Sequence, residues 1–479
     1  MPPAVDSERA RQALPARLEH AASTWGGDPD RRHTLRYTSP LCNRMYRRPL
    51  MLPNPYAPGE LPRVLAGREQ QQDRIRGYLS RIGTYGEMGG PLLVFLGPRG
   101  VGKTSLLREA QRDAEEHGFI TAWVACRRNA PFLPDLVSRV GKAVESADIL
   151  PRAEKGTWKL RLENIGLEFG LPSVVKVSAT AAADRSEAEA PPRGAQISAM
   201  EDLLHETSSQ IRARGGAGLV VFVDELHAAT RDDLAVLLNA MQNLAGRRED
   251  NPLAIIGAGL PSTPGVLVNA ATFGERSTFL TLPRLEPAAA AAAVAEPAAE
   301  LGVTWTPASL QTVAAEAQGF PYLLQVLAHA TWEVAKPSGT GDVLDVDQVR
   351  SGLPLADDQL SSMYAARWAA ATELEKQIMS VMAQAGTPTV TRAEIAAALG
   401  RPTQALGVPR ERLIDKGIIE PASRGEVRFT MPGFDRYIRE TLATGAPSPA
   451  DPAPGSLGAG RRPRELPPAS EGGPDPPRR

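Results

Sequence analysis

The chain has 479 residues, 42% of them apolar, 5% aromatic and 23% charged, with a formal net charge of −1. That length exceeds one hydrophobic core and fits roughly three domains, and the near-neutral balance excludes a polyanion binder acting by bulk charge, so nucleic acid could be met only by a local patch. The two cysteines, Cys42 and Cys126, have no metal or redox spacing, there is no apolar leader, and no run is long enough to span a bilayer; these features predict a soluble, cytoplasmic protein with no membrane partner.

Residues 1–50 show no sustained apolar period. Arg31, Arg32, Arg36, Arg44, Arg47 and Arg48 fall in a stretch without an acid, which reads as a solvated, disordered basic arm, with nucleic-acid contact as the alternative. Asn54 to Gly59 is a turn-rich lead-in. Val64-Leu-Ala-Gly-Arg-Glu69 precedes a helix-like stretch, Gln70 to Arg81. Read alone, that segment either covers a nucleotide base or simply starts a helix.

The most informative stretch is Pro91 to Ser105. A buried strand, Leu92 to Leu96, runs into Gly97-Pro98-Arg99-Gly100-Val101-Gly102-Lys103-Thr104, and a helix comes next, from Ser105 to His117. This is G-x-x-x-x-G-K-T between a strand and a helix, the context a phosphate-binding loop requires. Backbone N–H groups and the positive helix end cradle phosphate oxygens. Lys103 is placed for the β- and γ-phosphates, and the Thr104 hydroxyl for Mg²⁺.

Phe119 to Ala125 reads as a second strand and Phe132 to Ala147 as a helix. Residues 148–196 read as an insertion without chemistry, with a small hairpin over Leu167 to Val177 and a disordered loop over Ala181 to Gly194. Ile197 to Ala213 is a helix. A third strand, Leu219 to Val223, ends in Asp224-Glu225. At the carboxyl end of such a strand Asp224 would hold Mg²⁺ and Glu225 would polarise the attacking water. Thr230 to Gly246 is a helix and Leu253 to Gly257 a fourth strand. Ser262 and Thr263 after it are candidates for the γ-phosphate or for a helix cap. A short helix over Pro264 to Phe273 and a fifth strand, Thr278 to Leu282, complete a five-stranded parallel α/β sheet.

Helices over Pro287 to Leu301, Pro307 to Ala317, Gly319 to about Ala335 and Val346 to Trp368 make a small all-helical domain. From Glu373, three helices (Leu374 to Ala385, Thr391 to Gly400, Arg410 to Lys416), two strands (Ile418 to Glu420, Val427 to Thr430) and a closing helix, Phe434 to Leu442, have the order of a winged helix-turn-helix. Arg410, Arg412 and Lys416 on its third helix and Arg424 and Arg428 on its wing are the candidate contacts to double-stranded DNA. The predicted layout is thus an arm at 1–50, an ATPase core at 51–284, a lid at 285–370, a winged helix at 371–443 and a Pro/Gly-rich tail at 444–479.

These motifs resemble an AAA+ type P-loop ATPase. Gly67-Arg68-Glu69 and Gly319-Phe320-Pro321 resemble the branch shared by origin-recognition-type initiators and the signal-transducing (STAND) ATPases. The resemblance covers about Leu65 to Leu442. It implies that Leu65 to Arg68, Gly67 and Arg68 included, line the adenine and ribose side, and that Pro321 is the lid residue facing the nucleotide. It also implies that Arg276 is an arginine finger acting on a neighbouring copy's γ-phosphate. The helix after Gly319 has no arginine near its start, where the lid's sensor would stand, and the guanine-selecting Asn-Lys-x-Asp is absent, which favours ATP and ADP as ligands. The reading is an ATP- and Mg²⁺-dependent switch coupled to DNA, with a second copy or another protein as partner. Its rivals are a STAND-like signalling ATPase whose winged helix meets only protein and a nucleotide-binding regulator that never turns over.

Overall fold

The computed structural model describes residues 52–171, 192–423 and 425–444. The basic arm, Cys42, the expected hairpin beyond residue 171, most of the expected 181–194 loop, Arg424 and the C-terminal tail lie outside the described residues.

The first half alternates helices and strands: α1 (Glu69–Tyr85), β1 (Leu93–Leu96), α2 (Lys103–Glu116), β2 (Phe119–Ala125), α3 (Leu133–Ser146), α4 (Arg152–Glu168), α5 (Arg193–Ala213), β3 (Gly218–Asp224), α6 (Arg231–Leu244), β4 (Leu253–Gly259), α7 (Thr263–Ala270) and β5 (Thr278–Thr281). The five strands form one sheet in the order β2-β3-β4-β1-β5, and every pairing is parallel. All residues of β1, β3 and β4 are buried, which is why these strands read as unbroken apolar runs rather than alternating ones. On one face Leu136, Val140, Leu203 and Leu237 pack against the sheet, and on the other Ile75, Leu79, Leu106 and Leu107. Because β4 lies between β1 and β3, the carboxyl ends of all three open at the same edge, where the chain switches direction and ligands bind.

One segment departs from the expectation. Within 148–196 the chain forms α4, and Leu167 and Glu168, expected to open a hairpin, belong to its last turn. Only Trp158 and Gly166 are buried on this helix, so its sequence carries too few apolar positions to show a 3.6-residue stripe. Residues 193 and 194, expected in a loop, begin α5.

The second half contains α8 (Pro287–Ala299), β6 (Thr304–Trp305), α9 (Pro307–Ala317), α10 (Pro321–Ala335), β7 (Val343–Leu344) and α11 (Val346–Ala369), followed by α12 (Glu373–Gln384), β8 (Val390–Thr391), α13 (Arg392–Ala398), α14 (Gly407–Asp415), β9 (Ile419–Pro421), β10 (Glu426–Phe429) and α15 (Phe434–Thr444). The helical lid carries a two-stranded parallel pair, β6 with β7, that alternation over two residues could not announce. The C-terminal module adds β8 to the hairpin, giving an antiparallel sheet in the order β8-β10-β9. The capping box of Thr391 and Glu394 forms, and Thr372 and Glu375 make another at the start of α12.

Lid and C-terminal module share one apolar core. Tyr364 on α11 stacks on Phe434 of α15, with ring centroids 5.4 Å apart, and its hydroxyl donates to the Pro432 carbonyl at 2.7 Å. The lead-in is fastened to the lid as well: the Trp305 indole N–H donates to the Tyr56 hydroxyl at 2.9 Å, and the Asn54 amide donates to Glu333 at 2.8 Å. Phe434 is fully buried. Phe434→Ala is therefore expected to cost about 3–5 kcal/mol and to lower the unfolding midpoint of lid and C-terminal module together, read by calorimetry and by labels on each. Separate transitions, with the lid unaffected, would contradict a shared core.

Candidate nucleotide-binding site

The loop after β1 is held at its root and pressed from above. The Gly97 N–H donates to the Gly259 carbonyl of β4 at 3.2 Å. Gly100 has φ +89, and a Cβ there would stand 2.9 Å from Phe320 Cε1 and 3.0 Å from Tyr322 Cβ. The lid thus rests directly on the loop, and the Tyr322 N–H at the start of α10 donates to the Gly100 carbonyl at 3.1 Å. Only glycine combines that φ with that approach.

Lys103 is buried at the first position of α2, and its ammonium donates to the Gly97 carbonyl at 2.9 Å and the Pro98 carbonyl at 3.0 Å. Burial pulls its pKa down to about 8, against the opposing pull of Glu225 and Asp224. The Thr104 hydroxyl donates to Asp224 Oδ2 at 2.7 Å, and Asp224 Oδ1 accepts the Glu225 N–H at 2.8 Å. Asp224 is buried and Glu225 half-buried at the cavity wall. Glu225 Oε2 lies 3.7 Å from the Arg99 guanidinium and 3.3 Å from His227 Nε2. Burial, helped by Arg99, Lys103 and Arg128, pushes the His227 pKa down to about 4, so the ring is neutral near pH 7.

A cavity of about 700 Å³ opens over these groups, within the size range of small-molecule sites. The loop and helix start from Arg99 to Ser105 form its floor. Val64, Leu65 and Ala66 wall it on one side, and Pro321, Tyr322 and Gln325 of α10 close it on another. Of the residues expected on the base side, Leu65, Ala66 and Arg68 line the cavity, but Gly67 stands outside the lining. Gly67 has φ +70, and a Cβ there would come within 2.5 Å of Ala289 Cβ, so it lets the chain pass close to α8. Arg68 is 2% exposed and its guanidinium turns inward, donating to the Val101 carbonyl at 3.0 Å and the Pro283 carbonyl at 2.8 Å. It ties the phosphate loop to the link between β5 and the lid. Gly97 and Pro98 also stand behind the cavity, where their carbonyls hold Lys103.

Arg276 lies elsewhere, exposed on the turn Thr272–Arg276 with its guanidinium 5.7 Å from the centroid of the Phe273 ring, outside the cavity lining. Thr263 is fully buried and its hydroxyl donates to the Leu260 carbonyl at 2.6 Å, and neither it nor Ser262 reaches the cavity. Among the lining residues that escaped sequence reasoning, two carry a charged or hydroxyl group close to the loop. Arg108 stands one turn beyond Thr104 on the same face of α2, over the Trp123 ring at 3.5 Å. Tyr322 comes directly after Pro321 in the first turn of α10. The first was legible as an i, i+4 position.

Thr104 and Asp224 offer two oxygens at the start of α2 and the end of β3, and among the described residues no cluster of three or more His, Cys, Asp or Glu could hold a metal ion. Such a pair suits Mg²⁺, which keeps waters and takes further oxygens from substrate phosphates.

The cations expected to face DNA are mostly engaged within the fold. The Lys416 ammonium donates to Glu375 Oε2 at 2.6 Å and to the Ala370 carbonyl at 2.9 Å, and Glu375 is fully buried. Arg428 pairs with Glu420 at 2.7 Å and Arg410 with Glu411 at 2.6 Å. Arg412 is exposed and makes no ion pair among the described residues.

Residues 64–256 match the family model described as the AAA ATPase domain. The chain carries an AAA ATPase domain. With it, the protein is an ATP-hydrolysing enzyme of the P-loop class. Residues 361–438 match a second model, a domain of unknown function (DUF8462), which spans the end of α11 and most of the C-terminal module. Curated proteins include no match to the chain. Among solved structures, this AAA ATPase is similar to the Walker-type ATPase PABY2304 of Pyrococcus abyssi (15% identity, 78% of this chain and 96% of that one, TM-score 0.49). It is also similar to the Aeropyrum pernix ORC2 protein in ADPNP–ADP complexes (16%, 81% and 97%, 0.42) and to RuvB, the Holliday junction branch migration motor of Thermotoga maritima (15%, 80% and 96%, 0.37). No helix among the described residues is long and apolar enough to cross a membrane.

Arg68→Met would leave the Val101 and Pro283 carbonyls without their donor. We expect a loss of about 1–3 kcal/mol of stability in denaturant unfolding, together with weaker ATP binding. An unchanged unfolding midpoint would contradict the role of Arg68 as a strut.

Proposed function

We propose that this ATPase is a nucleotide-driven switch in which lid and C-terminal module move as one body over the phosphate loop. The observation that carries the reading is the bond from the Tyr322 N–H to the Gly100 carbonyl, with Phe320 and Tyr322 packed on that glycine. A ligand gripping the loop from Gly100 to Ser105 must act on the start of α10, and α10 belongs to the core that extends to α15.

In this reading the loop amides and Lys103 bind the phosphates of ATP or ADP. Thr104 and Asp224 hold Mg²⁺, and Glu225 polarises the water that attacks the γ-phosphate. On binding, the Lys103 ammonium exchanges two backbone carbonyls for phosphate oxygens. Leu65, Ala66 and Pro321 enclose the base and ribose. Arg276 has no part in its own cavity, and its exposure supports a role as a finger entering the site of a neighbouring copy.

The output reading is less favourable to DNA. The C-terminal module has the helix and strand order of a winged helix, but Lys416, Arg428 and Arg410 are each paired with an acid. That pairing favours the second reading, a signalling ATPase whose module meets a protein partner, over contact with duplex DNA through Arg410, Arg412, Lys416, Arg424 and Arg428.

Lys103→Ala is expected to abolish ATP binding in calorimetry, whereas Glu225→Gln should bind ATP normally and lose about 100-fold or more in phosphate release. Wild-type turnover by Glu225→Gln would sink the catalytic assignment. Turnover should rise with protein concentration and fall in Arg276→Ala. Mixing Arg276→Ala with Lys103→Ala should restore it, because each supplies what the other lacks; no recovery on mixing would rule out a finger in trans. For the output, affinity for duplex DNA is expected to be weak and to depend little on salt. A log–log salt slope steeper than about −5, the mark of six or more phosphate contacts, would return DNA as the partner.

A further inference from the structure

Glu225 is held by more than the strand that delivers it. The chain leaves β3 at Asp224 and enters the left-handed region at Glu225, φ +55 and ψ +37, a conformation that costs a residue with a Cβ about 1–2 kcal/mol. The next turn, Leu226–Ala228, is anchored from below. Leu226 is fully buried in the space that a side chain on Gly257 would need, and the Ala228 N–H donates to the Glu225 carbonyl at 2.8 Å. A turn fixed in this way delivers the His227 ring to the Glu225 carboxylate, with Nε2 3.3 Å from Oε2.

The His227 side chain is 7% exposed, and its Nδ1 has no hydrogen-bond partner among the described residues. Leaving a buried polar atom unpaired costs about 1–3 kcal/mol, so the ring is not there for its own stability. Among the described residues the acid that comes within 4 Å of the ring is Glu225. Arg99 approaches the same oxygen at 3.7 Å, but from the phosphate loop and with a side chain 55% exposed. Of these two neighbours of Oε2, the histidine stands on the anchored turn and is the more confined, whereas the arginine is the more exposed.

We propose that His227 is a positioning residue for Glu225: its Nε2–H holds Oε2 and leaves Oε1 to accept a proton from the attacking water. The proposal rests on the reading of Glu225 as the group that polarises that water. An uncharged donor suits this task, since it orients the carboxylate without neutralising it, whereas a cation at the same place would weaken it as a base.

The test measures kcat, KM for ATP with Mg²⁺, and the Kd of a non-hydrolysable ATP analogue in the full-length chain. The variants are His227→Ala, His227→Gln, Glu225→Gln and the double variant Glu225→Gln with His227→Ala. His227→Ala is expected to lose about 10- to 100-fold in kcat with KM and Kd unchanged. His227→Gln, whose amide nitrogen reaches the place of Nε2, should recover most of that loss. The double variant should be no slower than Glu225→Gln alone, because the histidine acts only through the carboxylate. Wild-type turnover by His227→Ala beside an inactive Glu225→Gln would overturn the proposal and leave the role of Glu225 standing. So would an additive double variant, or His227→Gln no better than His227→Ala. Wild-type turnover by Glu225→Gln would overturn both.

Discussion

The structure turns on one close approach: the start of α10 lies so near the phosphate loop that residue 100 must be glycine, and the Tyr322 N–H takes the Gly100 carbonyl as its partner. A loop that binds phosphate has to present its N–H groups inward, so its carbonyls point away and need donors of their own. Here the lid supplies one of those donors, Arg68 supplies another to the Val101 carbonyl, and Lys103 caps Gly97 and Pro98. The loop is thereby braced by groups from the lead-in, the helix it opens and the lid. Anything that grips the loop is felt in all three.

That bracing gives the second half of the chain its meaning. Tyr364 and Phe434 stack across α11 and α15, so lid and C-terminal module share a core instead of meeting at a hinge. Arg284, in the link from β5, donates to the Thr430 carbonyl at 3.1 Å and lies 3.6 Å from Glu420. A second thread therefore joins the end of the sheet to the wing strands. In the proposed switch this shared core would serve as a rigid lever that carries a displacement at Gly100 to α15.

Much of this could be read from residues. Continuous apolar runs marked β1, β3 and β4 because strands buried on both faces need no polar side, and Gly97 to Thr104 announced the loop through its spacing between a strand and a helix. Thr391 with Glu394 set a helix start because the pairing is local. What stayed hidden depends on three-dimensional neighbours. Arg68 was expected on the nucleotide side and does line the cavity, but its second part as a buried strut stayed hidden, since nothing near it in sequence reveals the Val101 and Pro283 carbonyls it reaches. Lys416 looked like a surface cation, yet its partner Glu375 lies 41 residues away. His227 carried no signal at all until the left-handed turn at Glu225 brought its ring to the carboxylate. Helix α4 was missed for a different reason, because it buries too little to imprint a period.

The most direct test of the switch is a pair of distances measured by spin labels in the full chain, with and without a non-hydrolysable ATP analogue and Mg²⁺. One pair joins Arg74 on α1 to Glu440 on α15, and the other joins Glu316 on α9 to Glu440. A rigid lid-plus-module lever driven by nucleotide predicts a shifted first distance and an unchanged second one. A change in the second distance, or no change in the first, would contradict it.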